Sequence, residues 1–431
     1  MRICIIGGST AGWWAAGYIE KHMPECEIVL YESPDIPHLG VGESTLPQIK
    51  TWFDGLGINE DDWFDKCKAV KKFGNWKQGW DSPTGEPFTL RFWYDTGEFD
   101  KMMADPQMWE YKPGYDKRPN KQKFWDKIET NYDYAFHVCA ESSGEMVKQI
   151  CERTETRVET LDKLPSGFDL YLDCTGFGRK FVRDFTEMPI SKYHKVDSAW
   201  VCPMEKEGEC ANVTKSIARR YGWQFQVDLE NRTGMGYIFS SKHVSNKEAL
   251  LEFREMFGDI EPEWWHENQL KGFRKRTPLK EPRLLQWKPM VLANPWSDDV
   301  VALGSAAGFV DPLEATALYM TQSGITSLVK CLKRGSSPSA YNKLMRRTWK
   351  EGLDFQLTHY ALNNRDDTGF WRRMRDGDEY LSNNRQEKYS KMLWEKYETK
   401  TNKFTTMMPS GLWCQLGVYL DSMKHYVHRN Y

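Results

Sequence analysis

The sequence predicts an α/β (α+β) fold: a Rossmann-type βαβ module at the N-terminus, two further strand–glycine units, and a mainly helical C-terminal subdomain. Three observations carry this. Residues 3–32 run from an apolar strand through a glycine-rich turn and an apolar helix into a second apolar strand. The strand-then-glycine pattern returns at 169–176 and at 300–308. Beyond Ser336 the chain is polar, charged and helical in character, with aromatic residues through Trp394 and Trp413.

The opening unit is Ile3–Ile6, then Gly7, Gly8, Ser9, Thr10, Ala11 and Gly12, a helix over Trp13–Lys21, and a strand over Glu27–Glu32. Glycines at such a turn let the backbone approach a pyrophosphate at a helix N-terminus, where unpaired amides favour anions. Glu32 falls 20 residues after Gly12, at the end of the second strand, where a carboxylate accepts hydrogen bonds from an adenosine ribose. Ser9 stands where the usual pattern has its middle glycine. Region 95–130 mixes Asp, Lys, Pro, Trp and Tyr and reads as an insertion or long loops. The later units are Asp169–Gly176 and Val300–Gly308, the second followed by Pro312 and a helical run to about Leu332.

Composition excludes several classes. With 59 Lys+Arg against 61 Asp+Glu, the net charge of −2 creates no global field for nucleic acid or an anionic membrane. No apolar stretch approaches the roughly 20 residues of a bilayer span, and the N-terminus lacks a secretory signal pattern. The ten cysteines include no C-x-x-C pair, which suits reduced, buried thiols. The nine histidines show no metal-ligand spacing, so no metal is expected. These features predict a cytoplasmic protein, in the host cytoplasm if its source is viral. With 19 Trp, 20 Tyr and 21 Phe, a site lined by aromatic rings becomes more probable than in an average chain.

Three glycine-bearing strand ends far apart in sequence do not fit a nicotinamide dehydrogenase, whose fingerprint stands in one compact unit. They fit the longer FAD-dependent monooxygenase-like fold. The chain resembles the flavin-dependent halogenases of the tryptophan-halogenase type, compact phage-type members included. The resemblance rests on GGSTAGWWAA at the start, IPHLGVGESTLP from Ile36 to Pro47, and KAVKKFGNW from Lys68 to Trp76. It continues through Ala135-Phe136-His137, LDCTG at 172–176, GYIFSS at 236–241, DPLEATALY at 311–319, and HY…RDDTGFW from His359 to Trp371. The blocks keep the family's order and cover most of residues 1–371.

The resemblance implies reduced FAD, supplied in trans by a separate flavin reductase, together with dioxygen and a halide (chloride, bromide or iodide). These form hypohalous acid, which travels to a small aromatic or heteroaromatic substrate. Lys68 matches the lysine that holds and polarises the electrophile, a charge-assisted donor. Lys71 and Lys72 fit solvated surface charges. Glu314 matches the carboxylate that stabilises the cationic ring and takes its proton; it also reads as a helix N-terminal acid answering the macrodipole. Thr316 and Ala317 match the halide-binding amides, with Ala317 where the family usually has Gly. Cofactor contacts map to Gly7–Gly12, Glu32, Gly42, Glu43, Ser44, Gly176, Gly304 and Leu313.

Other residues carry two readings each. His137 matches a family histidine or is a buried structural one. The family's W-x-W-x-I-P motif is altered here to Trp223-Gln224-Phe225-Gln226-Val227-Asp228, in which Trp223 and Phe225 line a channel or alternate as a strand's core face. Phe92 and Trp93 are candidates for a stacking wall around the substrate. Arg365, Asp366 and Asp367 read as a structural ion-pair and capping cluster. The expected division is a FAD-binding module over 1–335, with substrate-facing insertions at about 77–165 and 185–300, and a helical subdomain over 336–431. Alternative functions are an aromatic hydroxylase, suggested by the altered motif, and a non-catalytic flavin-binding redox sensor. A homo-oligomer is compatible with the sequence.

Overall fold

The computed structural model describes residues 1–35, 42–80, 88–91, 134–206, 208, 210–257, 277–363 and 365–376. Compactness divides the chain into two units. The first comprises 1–70, 136–194 and 287–350; the second draws on 71–135, 195–286 and 351–431. Phe92, Trp93, the whole of region 95–130, Ile36–Val41 and residues 377–431 lie outside the described residues.

The first unit is built on a six-stranded sheet in the order Trp296–Ser297, Val300–Ala302, Leu170–Asp173, Arg2–Ile6, Glu27–Glu32 and Glu155–Val158. All neighbours pair in parallel except the Trp296–Ser297 edge. Parallel strands covered on both faces need continuous apolar runs, and Ile3, Cys4 and Ile5 are fully buried. The three glycine-bearing strands are thus adjacent, and their carboxyl ends open at one edge. The first helix, Thr10–His22, starts earlier than its apolar run because Ser9 adopts the extended N-cap conformation. It buries Trp13, Trp14, Ala15, Ala16 and Ile19.

Close packing of that helix against Ala140–Ile150 depends on small residues. A Cβ on Gly17 would meet Val147 Cγ1 at 2.4 Å, and one on Gly144 would stand 3.3 Å from Thr10 Cα. Glu20, 8% exposed, secures the chain just beyond helix Ala140–Ile150. Its Oε1 accepts from the amides of Glu152 (2.8 Å) and Arg153 (3.0 Å), and its Oε2 from Thr154 Oγ1 (2.8 Å). Glu20→Ala would strand these donors, each costing about 1–3 kcal/mol if buried and unsatisfied. The expected loss is about 3 kcal/mol, read as a lower urea midpoint at unchanged m-value.

The second unit contains a seven-stranded sheet: Arg283–Gln286, Ser198–Glu205, Arg232–Phe239, Gly222–Asp228, Thr214–Arg219, Gly74–Gln78 and Phe88–Arg91. Its pairs are antiparallel except Thr214–Arg219 with Gly74–Gln78. Helix Asn246–Glu255 packs on this sheet, where Tyr237 Oη donates to Glu252 Oε2 at 2.8 Å. Burial raises the Glu252 carboxyl and holds the Arg219 guanidinium down at about 10.

Three of the 19 tryptophans, Trp80, Trp223 and Trp371, form a core here. Trp80 is fully buried, with ring centroids 6.1 Å from Trp223, 5.4 Å from Tyr360 and 5.6 Å from Trp371. Arg365 forms a fork to Asp367 at 2.9 and 2.7 Å and donates to Gly79 O at 2.9 Å, the structural ion pair expected of this cluster. The expectation that Lys71 and Lys72 are solvated does not hold. Lys72 is fully buried, and Lys71 is half-buried with Nζ 4.8 Å from the Tyr134 ring centroid. Their placement follows from the strands that begin at Val70 and Gly74, which the charge-rich sequence concealed.

Candidate functional site

The first element of the site is the convergence of the three glycine turns. Gly7 (φ 115°) sits so close to the second turn that a Cβ would meet Cys174 O at 2.5 Å. Gly304 (φ 59°) faces the first turn, its Cβ position 2.8 Å from Ala11 Cβ. Gly176 (φ 64°) has open space beside it. A Cβ on Gly8 would collide with Glu32 Cγ at 2.4 Å, so the Glu32 side chain lies directly over the turn. Ser9 costs nothing in backbone terms: its φ is −81°, and its side chain makes no cap bond to the helix amides.

Two residues that sequence reasoning did not single out brace these turns. Asp173, fully buried, accepts from Thr175 N (2.9 Å), Thr175 Oγ1 (2.6 Å) and Phe181 N (2.8 Å), which shapes the turn around Gly176. Arg179, at φ 44°, donates from Nε to Ala306 O at 3.2 Å, joining the second turn to the third. Burial lowers its guanidinium below the ordinary value. The contact joins residues 127 apart in sequence, beyond the reach of local patterns.

The next element joins Gly42, Glu43 and Ser44 to the Ala135–Val138 strand. Glu43 stands opposite Val138 and Ser44 opposite His137. Thr45 closes the pair through Oγ1, which exchanges 2.9 Å hydrogen bonds with Phe136 O and N. His137 is fully buried. Further along, Gln322 Nε2 donates to Gln48 O (3.2 Å) and Trp52 Nε1 to Thr326 Oγ1 (3.1 Å), docking helix Gln48–Asp54 on helix Thr316–Lys333.

Lys68 ends helix Glu60–Cys67, which a capping box starts at Asn59 and Asp62. It takes the left-handed conformation, φ 50° and ψ 41°, at a position where helices prefer glycine. Lys68 is exposed, while the preceding Cys67 is fully buried and accepts at its carbonyl from Cys139 N at 3.0 Å. The segment 136–139 thus touches both the end of the Lys68 helix and the Glu43–Ser44 pair.

Glu314 lies just ahead of helix Thr316–Lys333 and is only 4% exposed. It and Ala315 hold φ of 65° and 57°, two consecutive non-glycine residues in a region that costs L-residues about 1–2 kcal/mol each. Leu313 is fully buried, and its amide donates to Asp311 Oδ1 at 3.0 Å. The cap residue Ala315 offers the first-turn amides of Thr316 and Ala317 no side-chain acceptor. Ala317 is inside the helix, so alanine there meets no backbone obstacle; the left-handed demand falls on 314 and 315.

In the second unit, Trp223 is 2% exposed and its Nε1 has no hydrogen-bond partner among the described residues. Phe225 lies over Gly236, where a Cβ would stand 2.2 Å from its Cε1. Their strand is buried on both faces, since Gln224 and Gln226 are covered as well.

The sequence model of the family described as tryptophan halogenase matches residues 2–152 and 133–418. The chain belongs to the tryptophan halogenase family. Aromatic halogenation with reduced FAD, dioxygen and halide is the function of that family. This family member is 28% identical over 434 residues to the tryptophan 7-halogenase RebH of Lentzea aerocolonigenes, across 86% of this chain and 78% of that protein. In fold it is similar to a tryptophan halogenase from Shewanella frigidimarina (TM-score 0.79, 21% identity, 100% of this chain and 92% of the other). It is likewise similar to BrvH, a flavin-dependent halogenase from Brevundimonas sp. BAL3 (TM-score 0.74, 23% identity, 97% and 90%).

The residues of this halogenase-family chain fit FAD. The glycine turns leave a cradle that a Cβ would fill, the first helix presents amides with no side-chain cap, and Glu32 stands over the turn. Burial pushes the Glu43 carboxyl up to about 7 from an ordinary 4.5. A carboxyl that binds its proton more tightly folded than unfolded makes stability fall as pH rises between those values. Glu43 is therefore expected to contribute a loss of stability from pH 4.5 to about 7, so that Tm of the unaltered protein changes less favourably with rising pH over that interval than Tm of Glu43→Gln, read across a pH series.

Proposed function

We propose that this chain halogenates a freely diffusing small aromatic or heteroaromatic compound, with Lys68 and Glu314 as its catalytic residues and Thr316 and Ala317 at the halide. Bound reduced FAD, delivered by a separate reductase, supplies with dioxygen and halide the oxidised halogen. Gly7–Gly12, Glu32, Gly42–Ser44, Gly176, Gly304 and Leu313 would hold that cofactor. The Lys68 ammonium donates to hypohalous acid, polarising the oxygen–halogen bond and keeping the oxidant beside the substrate instead of the chain's own Trp, Met and Cys side chains. The Glu314 carboxylate stabilises the cationic ring and receives its proton.

The observation that carries this reading is the Glu314 turn: a buried carboxylate in a left-handed backbone, two residues ahead of the first residue of helix Thr316–Lys333. Purified protein with FAD, an unrelated flavin reductase and NADH is to be incubated with indoles, phenols and anilines in each of chloride, bromide and iodide. Mass spectrometry should find halogenated product, falling about 100-fold in Glu314→Gln. Product carrying one added oxygen would support the hydroxylase that the altered segment Trp223–Asp228 suggests. Oxygen consumption with no product at any halide would sink both.

A further inference from the structure

Glu32 is not alone above the first glycine turn. Lys148, in the last turn of helix Ala140–Ile150, places Nζ 3.2 Å from Glu32 Oε2 and 5.0 Å from the Trp13 ring centroid. The weaker neighbour of the same ammonium is Glu145 Oε1, at 3.9 Å. The base of Lys148 is fixed by the glycine-mediated contact between its helix and Thr10–His22, the helix that carries Trp13. Glu32 is confined from the other side, with Cγ and Cδ 2.4 and 2.6 Å from where a Gly8 Cβ would be. Its side chain is 18% exposed, against 36% for that of Lys148.

We propose that Lys148 is a positioning residue for the adenosine half of FAD: it holds Oε2 of Glu32 so that Oε1 faces the ribose hydroxyls, and it neutralises a carboxylate that would otherwise repel the pyrophosphate. This rests on the reading of the turn as the FAD site. A cofactor delivered by another protein must enter an empty site. An enclosed carboxylate beside an anion-binding turn then needs a resident counter-ion, because its own charge opposes the incoming diphosphate. The Trp13 ring face holds the ammonium between visits, a cation–π contact that keeps the lysine stem extended across the helix pair.

Intrinsic tryptophan fluorescence titrated with oxidised FAD, and separately with ADP, tests this on the full chain. Lys148→Met should weaken both ligands about 10-fold, with Lys148→Arg restoring them to within about twofold, because Arg keeps the charge over the ring. Lys148→Gln, which also removes the charge, serves as the second variant and should match Lys148→Met. In a Glu32→Gln background the Lys148→Met change should add nothing, since the lysine acts through the carboxylate. Unchanged affinity in Lys148→Met, or a loss of equal size in the Glu32→Gln background, would overturn the proposal while leaving the FAD site in place. Absence of FAD binding by the unaltered protein would overturn both.

Discussion

Lys68→Ala is expected to reduce halogenation about 1000-fold, within the range for a positioned proton-transfer group, while FAD still binds. The separation follows from where Lys68 stands. It is exposed, it follows the last residue of its helix, and it belongs to none of the three glycine turns. Its backbone adds a second readout. Lys68 holds φ 50°, a conformation that glycine adopts freely and any L-residue pays for. Lys68→Gly should therefore raise stability by about 0.5–1 kcal/mol and still abolish product. A more stable but inactive variant would mean that the chain tolerates a strained cap for the sake of its ammonium. Wild-type rates in Lys68→Ala would remove Lys68 from the mechanism and leave background oxidation by free hypohalous acid as the source of any product.

Gly12→Ala carries the largest expected effect on cofactor binding. Within a helix this change normally stabilises by up to about 1 kcal/mol. Here the sign reverses, because the new Cβ would stand 1.8 Å from Gly7 O, against backbone that cannot rotate away. Relief requires the first helix to withdraw from the end of the first strand, which opens the turn that would receive the pyrophosphate. The expected outcome is a loss of about 3 kcal/mol in denaturant unfolding and no measurable FAD binding. Ser9→Gly, which restores the usual middle glycine, should change FAD affinity by less than about twofold. Position 9 is exposed and already extended, so glycine relieves nothing there. Equal losses from both changes would mean that the turn responds to sequence in general, not to the contact at Gly12.

Much of the cofactor region is legible in the chain because its causes are local. A continuous apolar strand followed by glycines has one comfortable arrangement, a buried parallel strand ending in a turn of positive φ, and Gly7, Gly176 and Gly304 all adopt it. The structural character of Arg365 and Asp367 was equally readable from their spacing. Lys72 was not. A charged residue inside KAVKKFGNW reads as solvated, yet it is buried next to the strand Gly74–Gln78. A ring count by itself does not separate a substrate wall from packing such as the cluster around Trp80.

Sequence alone determined the strand–turn–helix opening and the glycine positions, which depend on residue type at short spacing; the family, and with it the residues proposed for chemistry, came from the resemblance of its ordered motifs. Only the tertiary structure decided that the three glycine strands are neighbours and that Glu43 pairs beside His137. It also decided that Glu314 is buried in a left-handed turn, and that Lys148 meets Glu32 across 116 positions of chain. Those contacts arise from helix packing and strand order, which bring together residues whose separation along the chain carries no local signal.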